Sequence, residues 1–118
     1  MVYKGTQKGE NEMPARNTQN IFEKILDQWK NSYSPVGRVI GCCRVYVSVN
    51  VPKDQVRLLS KACKKHNLIF QKKSYYKDIN AIYIGYDNCD GIALGRAEHL
   101  VQLFRDNNIA AVMNAHGD

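Results

Sequence analysis

Lys53, Arg57, Lys61 and Lys64 follow one another at intervals of four, four and three residues. On a helix that spacing sets four cations along one exposed ridge. Lys72 and Lys73 come a few residues later, with Lys77 behind them. Fixed cations gathered on one surface neutralise a polyanion and release its counterions, with little regard for its sequence. The charge is unevenly spread along the chain. Between Arg38 and Lys77 there are ten bases and one acid, Asp54, whereas the rest holds seven bases and ten acids. Such asymmetry points to a nucleic acid, DNA or RNA, or to an acidic protein surface as the partner. The competing reading is a solvated helix face followed by lysines that block edge-to-edge pairing. A solvated face ordinarily mixes signs, and this stretch has a single acid.

Two tyrosines form a second candidate site. Tyr46 sits in Val45-Tyr46-Val47-Ser48 and Tyr83 in Ile82-Tyr83-Ile84-Gly85. With the valines and isoleucines turned inward, both rings face out of one sheet, where RNA-recognition domains place aromatics that stack on bases. The K/R-G-F/Y-G/A-F-V-x-F/Y signature of those domains is missing from residues 80–86. Two other roles compete: cover by an amphipathic N-terminal helix, or burial between two copies that dimerise through their sheet faces.

The remaining chemistry-bearing residues point away from catalysis. Cys42, Cys43, Cys63 and Cys89 form no C-x-x-C pair, so no zinc site is expected and reduced, apolar thiols are. Asp87-Asn88-Cys89-Asp90-Gly91 lacks the acid spacing and terminal Glu of a calcium loop. It reads as a capping loop, with Asp90 the expected cap. His66, His99 and His116 have no partner set by spacing and read as helix-end or surface histidines. Asn50-Val51-Pro52-Lys53 has none of the glycines of an acylphosphatase-type phosphate cradle. A non-enzymatic domain without cofactor or metal is the expectation.

These residues must be positioned by a small set of elements. Residues 1–16 read as a flexible tail, with Met13 an alternative start, and 17–118 as one α/β domain. Asn17 or Thr18 is expected to cap a helix over 18–33 that buries Ile21, Phe22, Ile25, Leu26 and Trp29. Alternation of Val45, Val47, Val49 and Val51 predicts a strand over 39–51. A helix from Pro52 to about His66 follows, ended by Asn67 in a left-handed conformation. Strands over 68–75 and 81–86, a helix over 92–106 and a strand over 109–113 complete the order. The two βαβ halves echo each other. They predict an α+β, ferredoxin-like βαββαβ sandwich spanning 39–114, with an extra N-terminal helix. No apolar run reaches the length of about 18 residues that a membrane span needs, and the N-terminus lacks a signal peptide's apolar stretch. A cytoplasmic protein without membrane contact is therefore expected.

Overall fold

A computed structural model describes residues 20–117. Its elements are α1 (Ile21–Lys30), β1 (Cys42–Asn50), a 3₁₀ turn (Lys53–Gln55), α2 (Val56–Lys65), β2 (Phe70–Lys73), β3 (Ile79–Asn88), α3 (Ile92–Asp106) and β4 (Ala110–Gly117). The strands form one antiparallel sheet in the order β2-β3-β1-β4. The strands with the strictest alternation, β1 and β3, occupy its centre.

That alternation builds the core. Val45, Val47 and Val49 of β1 and Ile82 and Ile84 of β3 pack with Leu59, Ala62 and Cys63 of α2 and Leu94, Ala97, Leu100 and Phe104 of α3. Each large side chain so removed from water contributes about 1.5–3 kcal/mol. Burial pushes the Cys63 thiol up to about 12, so it serves as a small apolar residue rather than a nucleophile.

α2 and α3 end alike. Leu68 N–H donates to Cys63 O at 2.8 Å and Asn67 N–H to Lys64 O at 3.1 Å; Ile109 N–H donates to Phe104 O and Asn108 N–H to Arg105 O, both at 3.0 Å. These are two Schellman endings, and each needs a left-handed residue. Asn67 (φ 58°) and Asn108 (φ 61°) supply it.

α1 begins at a different cap from the one expected. Asn20 Oδ1 accepts the Glu23 N–H at 2.8 Å and its Nδ2 donates to Glu23 Oε2 at 3.3 Å, so Asn20 caps this helix; the expected caps, Asn17 and Thr18, lie outside the described residues. Ile21 is exposed, while Phe22, Ile25, Leu26 and Trp29 are buried. They pack against α2 and α3, not against the outer face of the sheet. Trp29 Nε1–H donates to Arg96 O at 2.9 Å, the Arg96 guanidinium lies 4.7 Å above the Trp29 ring, and Lys65 pairs with Glu23 at 3.1 Å. Of the competing roles for Tyr46 and Tyr83, cover by this helix is thereby overturned: its apolar stripe is already satisfied in the helical layer.

The central pair of strands carries a bulge. Val45 opposes Gly85 but Tyr46 opposes Tyr83, so Ile84 is extra and β3's alternation shifts by one. Ile84 still faces the helices, and beyond the bulge Asp87 does too. The register also sets Cys42 opposite Asn88, next to Cys89. Cys42 and Cys89 are disulfide-bonded, with Cα atoms 4.6 Å apart. This corrects the expectation of four reduced thiols; the other two, Cys43 and Cys63, are buried and outside any disulfide. A 47-residue separation hides such a pair until the strands are in register.

Several element bounds differ from the spacing-based ones. β1 starts at Cys42 rather than 39, because residues 35–41 run outside the sheet. β4 reaches Gly117 rather than Met113, following β1 all the way back to Cys43. The predicted flexible tail, residues 1–16, lies outside the described residues. Among the described residues, no helix is long and apolar enough to cross a membrane.

Candidate nucleic-acid interface

The 3₁₀ turn and α2 carry Lys53, Arg57, Lys61 and Lys64 on their outer side, all exposed. Leu59, Ala62 and Cys63 on the opposite side fix this orientation by entering the core. β2 is the edge strand beside α2, and Lys72 and Lys73 are exposed on it. Phe70 pairs with core-facing Ile82 and Lys73 with exposed Ile79. With side chains alternating along a strand, Lys72 is on the helix side of the edge and Lys73 on the outer side. Lys53 and Lys72 meet in a cleft of about 350 Å³, floored by Val51, Val56, Ile79 and Asn80. The 3₁₀ turn at the start of the ridge and the edge strand thus each set one cation at this cleft. None of the six makes an ion pair with a described residue; Lys65, outside the ridge, is the helix cation that pairs with Glu23.

The outer face of the sheet has a different character. Tyr46 and Tyr83 are cross-strand neighbours with ring centroids 5.2 Å apart, as their alternation requires. Tyr46 is only 8% exposed and Tyr83 is half-buried. The loop between β2 and β3 contributes to the cover of Tyr46. Ser74 Oγ accepts the N–H groups of Tyr76 and Asp78 at 3.1 and 3.0 Å and donates to Asp78 Oδ2 at 3.2 Å. So pinned, the loop lays Tyr76 flat on His116, centroids 4.0 Å apart and 7° from parallel. It also brings Asp78 Oδ2 within 2.6 Å of His116 Nε2. Both rings lie about 6 Å from Tyr46, at 6.0 and 5.9 Å. Burial, then the neighbouring Tyr76 and Tyr83 hydroxyls, push the Tyr46 hydroxyl above its ordinary value, so it stays protonated and neutral. His116, expected at the surface without a partner, is half-buried with a carboxylate. His66 likewise has Asp27 3.1 Å away.

Two tyrosines not singled out by alternation present rings to solvent: Tyr75, 87% exposed and two residues beyond Lys73, and Tyr86 towards the other end of β3, opposite Arg44. A signal for the first is in the chain. Lys72-Lys73-Ser74-Tyr75-Tyr76-Lys77 interleaves bases with aromatics, the pattern of a strand-tracking groove. Next to this loop the outer face opens into a cavity of about 380 Å³, whose polar lining includes Ser48, Asn50, Asp78, Asn80 and Asn114. Asn114 Nδ2 donates to Ser48 Oγ at 2.9 Å and Asn80 Nδ2 to Val49 O at 3.2 Å.

The loop from Asp87 to Gly91 caps α3, through a different residue from the one expected. Asp87 is fully buried, and its two oxygens accept the N–H groups of Asp90, Gly91 and Leu94 at 3.2, 3.0 and 3.0 Å. Asp90 adds one bond, from the Ile92 N–H at 3.0 Å. Among the described residues, no group of three or more His, Cys, Asp or Glu side chains is placed to hold a metal ion. No family model, curated protein or solved structure matches the chain.

Proposed function

We propose that this chain is a non-enzymatic nucleic-acid-binding domain, a ferredoxin-like sandwich with an added helix, whose α2 ridge and β2 edge track a phosphate backbone. The observation that carries the reading is the meeting of Lys53 and Lys72 in one cleft, with exposed Arg57, Lys61 and Lys64 following Lys53 along the helix and exposed Lys73 following Lys72 along the edge strand, none of them in an ion pair with a described residue. Exposed cations without carboxylate partners within the described fold keep their positive potential and favour an external anion. Tyr75 at the loop tip adds a ring where a base would stack. Tyr46 and Tyr83 support that ring through the Tyr76–His116 stack rather than by offering open faces themselves. The proposed setting is intracellular, where the Cys42–Cys89 bond would meet reductants.

The test is a salt series with labelled single- and double-stranded DNA and RNA. Six phosphate contacts predict a slope of log affinity against log salt of about −4 on single strands and about −5 on duplexes. Affinity that ignores salt would remove the electrostatic basis of the reading. Retention by an acidic protein surface without retention by any nucleic acid would turn the same face to a protein partner.

A further inference from the structure

The sheet has two edges, and among the described residues one of them is unguarded. β2 is four residues long and carries Lys72 and Lys73, the short, charged edge that discourages pairing with another chain. β4, on the opposite edge, runs for eight residues, Ala110–Gly117, with no Lys, Arg, Asp, Glu or Pro. Its register with β1 is continuous from Ala110 to Gly117, so no bulge twists it away. Arg105 donates from Nε and Nη2 to the Ala111 carbonyl at 3.2 and 3.0 Å, so this carbonyl points out of the ladder. Outward-pointing backbone groups recur at every second residue of an antiparallel strand. The N–H and C=O groups of Met113 and Ala115 therefore lie on the same outer edge, where no other described backbone group bonds them. Alongside runs a groove of about 460 Å³, lined by Glu98, Val101, Gln102 and Arg105 of α3 and by Val112 and Met113 of β4.

The geometry points to a homodimer in which β4 pairs antiparallel with β4 of a second copy, about a two-fold axis at Met113, to give one eight-stranded sheet. A two-fold contact must be self-complementary, and this groove is. Its ends are Glu98 and Arg105, opposite charges seven residues apart on one helix face, and its middle is Val101 and Gln102. An axis through that middle sets Glu98 of each copy against Arg105 of the other. The same axis sets Ala111 opposite Ala115 of the second copy. Arg105 then gives up the Ala111 carbonyl to a backbone N–H across the axis and takes a carboxylate in its place. The charge distribution favours this edge. Each chain carries a net +6, and the cationic α2 ridge and β2 edge lie on the far side of the sheet. Two copies meet along the flanks that repel least. The inference stands whether or not the basic face binds nucleic acid.

Sedimentation equilibrium of the full chain tests it. The expected species has twice the 13.5 kDa chain mass. Glu98→Arg, at an exposed site, faces Arg105 of the second copy with a like charge and is expected to weaken the dimer at least about tenfold. Combining it with Arg105→Glu swaps the pair and restores the dimer. Ala115→Pro deletes an outward N–H without touching the β1 ladder and also weakens association. A chain that stays monomeric as its concentration rises overturns the proposal. So does a dimer that Glu98→Arg and Ala115→Pro leave equally tight, or one that the charge swap fails to restore.

Discussion

Asp87→Ala is expected to lower the unfolding free energy by about 4 kcal/mol, among the largest single-site losses open to this chain. The bulge at Ile84–Gly85 turns Asp87 inward beneath the first turn of α3, where it meets three N–H groups that have no other partner in the helix. Each buried donor left unsatisfied costs about 1–3 kcal/mol. The carboxylate also opposes the positive end of the helix dipole. The loss is expected to depend on pH. Burial pushes the Asp87 carboxyl up, but the N–H groups of Leu94, Gly91, Asp90 and Ala93 outweigh burial and hold it below its ordinary value. A group whose folded pKa is depressed stabilises the fold above its unfolded value of about 3.9 and loses that contribution as the pH falls through the folded value. Urea midpoints of the wild type and Asp87→Ala should therefore differ most at neutral pH and converge in acid. A gap under about 1 kcal/mol at neutral pH, or one that stays constant into acid, would contradict this account of the cap.

Gly95→Ala should also be severe, against the ordinary rule. Inside a helix, alanine is favoured over glycine by about 1 kcal/mol, and Gly95 lies well within α3. The segment from Pro35 to Gly37 crosses the first turns of this helix, held by the Gly37 N–H donating to Gly91 O at 2.8 Å. A Cβ on Gly95 would run into the Pro35 carbonyl oxygen and lie 2.6 Å from Gly37 N. Those are backbone atoms, so relief requires moving the whole crossing. The expected cost is about 3 kcal/mol or more. A thermal melt of Gly95→Ala at or above the wild-type temperature would show that the crossing is loose and that its contact with α3 contributes little.

Local signals account for much of the layout. Ile92–Asp106 is helical over the span that its apolar spacing predicts, and Asn67 takes the left-handed conformation expected of it. Both depend on residues within one or two turns of each other. The cationic ridge on α2 was legible for the same reason: its spacing and its buried counterface lie in one stretch of ten residues. What escaped depends on distant groups meeting. Asp87, not Asp90, carries the cap because a bulge shifts alternation partway along β3. Cys42 and Cys89 become neighbours through strand register. The stack of Tyr76 on His116 joins the loop beside one sheet edge to the strand on the other, which no spacing rule connects. The N-terminal helix showed its apolar stripe plainly, but a stripe specifies that a surface is needed and leaves open which one.

If the α2 ridge and the β2 edge act together on a phosphate backbone, as proposed, reversing the ridge alone removes half of the contacts: Arg57→Glu, Lys61→Glu and Lys64→Glu in one chain. All three side chains are exposed, so circular dichroism and the melting temperature should stay those of the wild type. Oligonucleotide affinity should fall at least about a hundredfold, and the salt slope should flatten by about two to three units. A natively folded triple variant that binds with unchanged affinity and slope would mean that this face is not where the nucleic acid lies.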